Sequence, residues 1–501
     1  MDLLVIVAYM AALVGIGIRF SRRQNSTERY FVAKRSIPGW ATGLSLLATL
    51  ISSVTFIAYP GSAYDGDWSN LVPGLMTVLV LLPVASVIIP FYRHVVGTSA
   101  YEYFGKRFGY PARVYSSIAY ALGHFSKMGF VFYLLALTVS GMTGWQTDHV
   151  IVLVGIITVS YTMVGGIEAV IWADVLQGFV LWLGIAICLA FLLFVPAAGP
   201  AAMWHAAWSS HKISLGSLAP DLRQPTILVL SIYGFFYYLQ RYAADQTVVQ
   251  RYLVARGDRA ALRGVAFGSL LCIPVWTLFM LIGTLCWAFY RVTGERLPPY
   301  IAKADQVFPY FITTHIPAGL AGLFLAALFG AAMANLSSDF NSLAAIAVED
   351  YYRVLRPHAT DRRRLAMAKV VVAACGAFCV VVATVLAHTN GTALSLWYTV
   401  SAVVAGGLVG LFLLAFLWPR AGATAAYIGI AASLLFTTWA TLPWGFPWHN
   451  YMIGVIGHLV LLGVGIAASF VFPNHDARAA ELTLRGWLAT RKTQESSITK
   501  A

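Results

Sequence analysis

The chain has 501 residues, 59% of them hydrophobic and only 11% charged, with a formal net charge of +13. Soluble domains carry about a quarter charged residues, so a soluble protein is excluded. Repeated apolar runs of roughly 20 residues point instead to an all-α polytopic membrane protein. The basic excess gathers in alternate loops, as topology signals do, and so gives no reason to read a nucleic-acid surface.

About 13 spans are expected by length, at 1–20, 38–62, 70–92, 113–142, 148–164, 167–196, 226–248, 262–290, 317–347, 366–388, 394–417, 421–442 and 450–472. The first is apolar from its first residues and lacks a basic leader and a small-residue cleavage site, so it reads as a retained helix and not a signal peptide. Basic loops at 21–35, 92–107, 250–263 and 351–364 follow the first, third, seventh and ninth spans. The positive-inside rule then places the N-terminus outside and the C-terminus inside. Cys188, Cys272, Cys286, Cys375 and Cys379 lie in apolar runs and read as buried free thiols. His205 and His211, in the long loop at about 197–225, read as solvated, and Trp444 and Trp448 as an interfacial belt.

Polar residues at membrane depth are costly and mark function. The second span reads SLLATLISSVTFIAYPGSAY over 45–64, dense in hydroxyls. Ala48 lies roughly 15 Å and Ser52 roughly 21 Å from its cytoplasmic start near Pro38, at the helical rise. Ser45 and Ser62 read as packing, and Pro60-Gly61 as shaping an outer vestibule. Lys127 lies well inside its span; it suits recognition of an anion, pairing with an acid such as Asp245, or snorkelling. His124 beside it reads as a hydrogen-bonded core histidine.

Gly165-Gly166 mark a cytoplasmic turn. Asp174, eight residues on, sits roughly 12 Å deep, where a carboxylate calls for a cation, a proton or a hydrogen bond. Over 235–256 the seventh span is polar, and Arg241 and Asp245 form an i, i+4 pair. Over 330–353, Ala331, Asn335, Ser338 and Ser342 recur on one small, oxygen-bearing helix face bordered by Asp339. That face suits close packing or oxygen ligands for a hard cation. Ala48, Asp174 and Ser338 share a depth on three spans. Interrupted second and seventh spans, five apart, fit an inverted-repeat transporter with its site at the break.

These stretches, LLATLISSVTFIAYPGSAY, GGIEAVIWADVLQ, DQTVVQRYLVAR and LSSDFNSLAAIAVEDYYR, resemble the sodium:solute symporters (the sodium/glucose cotransporter family), in motif the sialic-acid and monocarboxylate-type members. The resemblance covers Met1 to about Phe472. It implies a leucine-transporter-type fold of two inverted five-helix repeats, at 38–196 and 226–417. Around them lie a first helix and loop at 1–37, an extracellular or periplasmic loop at 197–225, additional helices at 418–473 and a cytoplasmic tail at 474–501. It implies a first sodium site of Ala48, Ile51, Ala331 and Asn335, in which Ala334 stands where the family has a ligating hydroxyl. It implies a second sodium site of Asp174, Ser337 and Ser338. Ser52, Ser53, Thr55, Lys127, Asp245 and Gln246 are the expected substrate-binding residues, with Lys127 at the position of the sialic-acid branch's arginine.

The function implied is symport of a small organic solute, an acidic sugar or carboxylate, driven by sodium, in the plasma (cell inner) membrane and without an organic cofactor. Proton coupling and a neutral sugar or inositol are the alternatives. A membrane enzyme needs a nucleophile–base pair or metal triad, and no such motif stands at membrane depth.

Overall fold

The computed structural model describes residues 1–22, 24–299, 301, 303–388, 406–442, 445–474, 476 and 481–490. Among them the fold is helical. The principal helices are α1 (Asp2–Ser21), α2 (Gly39–Leu50), α3 (Ser53–Asp65), α4 (Ser69–Val95), α5 (Tyr110–Thr143), α6 (Thr147–Phe194) and α7 (Gly199–Ser209). They continue as α8 (Ile227–Ala244), α9 (Gln246–Val254), α10 (Asp258–Thr293), α11 (Leu320–Ile346), α12 (Asp361–Ala387), α13 (Leu408–Leu417), α14 (Ala423–Thr441) and α15 (Tyr451–Val471).

Among the described residues nine helices are long and apolar enough to cross a membrane, or ten when α2 and α3 count as one bent span. The expected 13 spans differ for three reasons. Helix α6 fuses two expected spans into 48 residues, broken at Gly166 (φ 56°, ψ −160°). That left-handed turn suits glycine, and a Cβ there would lie 2.8 Å from the Tyr30 ring. The expected span 226–248 divides into α8 and α9 around Asp245, too polar and short to pass as one apolar helix. Of the span 394–417 only 406–417, with α13, is described, 394–405 and Trp444 lying outside the described residues. The long loop at 197–225 contains α7, so it is partly helical.

Two breaks position the site. Between α2 and α3 the backbone is extended at Ile51 (ψ 124°) and Ser52 (ψ 177°), and the axis bends by 56°. Between α8 and α9 Asp245 is extended (ψ 118°), and its carboxylate caps α9 by accepting from Thr247 N at 2.9 Å. A break inside a membrane leaves backbone carbonyls without helical partners, tolerated only where protein or a cavity serves them. Helix α2 is held against α10 by glycines: a Cβ added at Gly43 would lie 2.6 Å from the Gly264 carbonyl oxygen. Such close approach replaces a hydrophobic driving force that lipid does not supply. Helix α11 packs against α2, α5, α6 and α12, so its polar face is wholly interior.

The basic-loop end of the bundle is tied shut. Arg113 pairs with Asp350 at 2.5 Å, and Ser99 donates to the same carboxylate at 2.8 Å. Arg93 pairs with Asp258 at 2.6 Å and Arg29 with Glu168 at 3.1 Å.

Candidate functional site

Three clusters of polar side chains meet beside the breaks. The first surrounds Asn335 on α11. Its amide Nδ2 donates to the carbonyls of Ile51 (2.8 Å), Ala48 (3.3 Å) and Ala331 (3.4 Å). The four residues expected as a first cation site are therefore brought together. Three acceptors converge, so the amide turns its N–H groups toward them. A cation there needs oxygen ligands; rotating the carboxamide by half a turn replaces its donor with Oδ1, and the cage becomes four oxygens. This set fits a sodium ion.

The second cluster surrounds Asp174, with no exposed side-chain surface. Its carboxylate accepts from Ser45 Oγ at 2.5 Å and from Arg251 at 3.3 Å. Arg251, on α9, also donates to Ser338 Oγ (2.5 Å), Ser45 Oγ (3.3 Å) and the Thr247 carbonyl (3.0 Å). The expected convergence of Asp174 and Ser338 is present, but a guanidinium bridges them. Ser337 donates to the Ala334 carbonyl, one turn back on its own helix, at 3.2 Å. Asp174 is already neutralised and Ala334 offers no side-chain oxygen, so this set does not fit a second sodium. Ser45, expected to be packing alone, is a ligand of Asp174.

The third cluster lies on α5, α8 and α11. Lys127 Nζ stands 2.7 Å from Asp339. His124 bridges two carboxylates, with Nδ1 at 2.8 Å from Asp339 and Nε2 at 3.1 Å from Asp245. Arg241 closes an ion pair on Asp245, as the i, i+4 spacing suggested. Lys127 thus takes Asp339 as its acid in place of Asp245. His124 is the hydrogen-bonded core histidine expected, and its two partners are both carboxylates.

A cavity of about 800 Å3 runs from the end of α3 at Asp65 and the segment bearing Lys303 and Asp305 down to Ser52, Lys127, Arg241 and Asn335. At its mouth burial pushes the Asp305 carboxyl up, against the pull of Lys303. A smaller space of about 140 Å3 shares Lys127 and Arg241 and adds His124, Asp245, Gln240 and His458. Of the expected solute residues, Ser52, Thr55, Lys127 and Asp245 line these spaces. Two do not. Ser53 is fully buried and donates to the Val131 carbonyl at 3.3 Å. Gln246 points into the bundle, accepting from Ala100 N at 2.7 Å and donating to the Thr98 carbonyl at 2.9 Å. Arg251, Ser45 and Arg241 complete the clusters and were not singled out as site residues. The DQTVVQR run carried the signal for Arg251, but a pair across 77 positions has no local trace.

The family model of the sodium:solute symporters matches residues 30–433. The chain is 31% identical over 479 residues to a sodium/sialic acid symporter of Aliivibrio fischeri, covering 95% of this chain and 94% of that relative. It is 30% identical over 499 residues to a sodium/sialic acid symporter of Proteus mirabilis, covering 96% of each. A solved Na+-coupled sialic acid symporter, substrate-bound and outward-open, superimposes with a TM-score of 0.89 at 29% identity, over 95% of this chain and 99% of that one. A nucleobase-cation-symport-1 family transporter in a closed conformation shares the fold, with a TM-score of 0.58 at 15% identity over 91% of this chain and 98% of that one.

Proposed function

The chain belongs to the sodium:solute symporter family, and we propose that the solute it carries is an acidic sugar or a related small carboxylate. It is a multi-pass plasma-membrane transporter coupled to sodium, not an enzyme. The observation that carries the solute reading is the placement of Lys127 and Arg241 in the wall of the cavity that ends at Ser52 and Asn335. Both cations are paired, Lys127 with Asp339 and Arg241 with Asp245, so what they offer an anion is charge-assisted N–H donors at the bottom of a low-dielectric vestibule, among them an Arg241 Nε–H with no acceptor among the described residues. The relatives that carry sialic acid with sodium match nearly the whole chain.

Sodium enters from the open cavity and is held by the carbonyls of Ala48, Ile51 and Ala331, with Asn335 turned to offer Oδ1. The ion ties the broken end of α2 to α11. That tie stabilises the state in which Ser52 and Thr55 face the solute. Each ligand then raises the other's affinity by the same factor. The return step opens the basic-loop end, where Arg113–Asp350 and Arg93–Asp258 must part. The division into repeats at 38–196 and 226–417 is supported by one break in each half. Basic residues at 92–107, 250–263 and 351–364 support a cytoplasmic position for that end, with the N-terminus outside.

The test is uptake into proteoliposomes under an inward sodium gradient, with sialic acid, other sugar acids, short monocarboxylates, glucose and inositol compared. Uptake of sugar acids above neutral sugars is expected. Uptake of neutral sugars alone overturns the solute assignment while leaving the symporter intact.

A further inference from the structure

At the basic-loop end the starts of α2 and α10 meet beside a crevice of about 790 Å3. The two helices touch there through backbone. A Cβ added at Gly39 would lie 2.6 Å from the Ala260 carbonyl oxygen, and one at Gly264 would lie 2.4 Å from the Gly39 carbonyl oxygen. Glycines supply no side chain to fill the outer side of such a junction. Arg256, Arg259 and Arg263 line it instead, with Trp40 and Phe267.

The three arginines are exposed, and among the described residues their guanidinium groups have no hydrogen bond and no ion pair. The one carboxylate among the described lining residues, Asp258, is already engaged. Its Oδ1 accepts from Arg93 at 2.6 Å, and its Oδ2 faces the His94 ring at 3.9 Å. Three positive charges therefore share one crevice without an anion.

The same face continues into the membrane. Arg259, Arg263, Phe267 and Leu270 recur at three- and four-residue steps, so they lie on one side of α10. Phe267 and Leu270 are 45% and 47% exposed, on a helix long and apolar enough to cross a membrane, so they face lipid. They stand roughly 6 Å and 10 Å further along the axis than Arg263, at the helical rise. Trp40, 51% exposed, borders the crevice from α2, and the Trp172 ring of α6 packs edge-on against it at 5.7 Å and 72°.

A topology signal needs only charge beside a span. It does not call for three guanidinium groups around one crevice, nor for an aromatic wall and an apolar stripe adjoining them. Those features match an amphiphile. Guanidinium forks bind phosphate oxygens in pairs, and the apolar stripe takes an acyl chain. A soluble anion would use the arginines alone. A zwitterionic lipid brings its own cation and leaves the positive excess in place.

We propose that the crevice between α2 and α10 is a binding site for one anionic phospholipid, its phosphate on Arg256, Arg259 and Arg263 and one acyl chain along Phe267 and Leu270. The site lies outside the solute and sodium cavity and does not depend on which solute is carried. It adjoins the Arg93–Asp258 pair, so the bound lipid rests against the corner that parts on the return step.

The test uses the full-length protein, purified in neutral detergent and delipidated, then titrated with phosphatidylglycerol. Binding is read by the unfolding midpoint and by native mass spectrometry. Phosphatidylcholine, inorganic phosphate and glycerophosphoglycerol (the headgroup without its chains) are the controls. One phosphatidylglycerol should be retained per chain, and the midpoint should rise with its concentration, as for any ligand of the folded state. The three controls should leave the midpoint where it was. A basic residue near an anionic lipid surface is worth about fivefold in affinity, so Arg259→Gln with Arg263→Gln should weaken phosphatidylglycerol binding about 25-fold. Arg256→Gln alone should weaken it about fivefold by the same scale. These side chains are exposed, so the variants should keep the wild-type midpoint in the absence of lipid. No shift with phosphatidylglycerol, an equal shift with phosphatidylcholine, or wild-type affinity in the variants overturns the site. A shift with inorganic phosphate or glycerophosphoglycerol as large as that with the whole lipid overturns the phospholipid as its occupant.

Discussion

Arg251 and Asp174 form an ion pair at 3.3 Å in which neither side chain has any exposed surface. The guanidinium also reaches Ser338 and Ser45, so it stands among the oxygens where the family resemblance puts a second sodium. Removing one partner of a buried pair leaves an uncompensated charge, at a cost of about 3–5 kcal/mol.

Arg251→Gln should therefore lower thermal stability sharply in potassium or choline chloride. Sodium should restore part of it, because Asp174, Ser45 and Ser338 then stand open to a small cation. Asp174→Asn should be destabilised likewise, without rescue by sodium. The double variant Arg251→Gln with Asp174→Asn should be more stable than either single one, the coupling a double-mutant cycle isolates. Unfolding midpoints against salt type check this; an Arg251→Gln midpoint indifferent to sodium would remove the cation-substitute role of Arg251.

Asn335→Asp puts a carboxylate under the carbonyls of Ala48, Ile51 and Ala331. A charged ligand strengthens the cage by about 1.5–3 kcal/mol, roughly a tenfold or greater drop in the sodium concentration for half-maximal uptake. Asn335→Leu removes the donor and the ligand together, leaves three buried carbonyls unserved, and should abolish sodium-dependent uptake. Sodium activation curves measure both, and an unchanged half-maximal concentration in Asn335→Asp would place the ion elsewhere.

Lys127→Met leaves the Asp339 carboxylate facing His124 alone and removes one of the two cations at the inner end of the large cavity. The solute's KM should rise about tenfold or more, the scale of one charge-assisted contact. The sodium concentration for half-maximal uptake should stay within about twofold, because Lys127 has no contact with the cage. A shift in sodium activation with KM unchanged would reverse the assignment.

At the opposite end, Asp350→Asn cuts the Arg113 ion pair and leaves Ser99 as a hydrogen-bond partner. The basic-loop end should open more often, and a cysteine placed at Ser338 should react faster with a thiol reagent added from that side. Equal rates with and without the substitution would mean that this pair does not hold the gate.

How much of this was legible in the sequence follows from where the signal lay. The small, oxygen-bearing face of Ala331 and Asn335 was legible from its one-turn spacing, whereas Ala48 and Ile51 entered only through the family resemblance, because a backbone carbonyl leaves no trace in the residue type. Asp174 and Ser338 were visible from depth alone. Arg251 was not, because its partners come from α2, α6 and α11, and only the folded bundle brings them to it. Ser45 looked like packing for the same reason. Gln246 was misassigned because it adjoins Asp245. The extended backbone there starts a new helix and turns Gln246 into the bundle. Ser53 follows Ser52 in sequence, but the first turn of α3 turns it into the bundle, toward Val131. The fold class needed only apolar run lengths and interruptions, and these survive in any single sequence.

The number of sodium ions carried per solute tests the reading of the two cation positions most directly. Sodium and sialic acid uptake should be measured together in proteoliposomes at fixed pH. One sodium per solute, with a Hill coefficient near one for sodium activation, is expected from a single Asn335 cage and a second position held by Arg251. Two sodium ions per solute, with cooperative activation, would mean that Arg251 leaves Asp174 and Ser338 to an ion during transport.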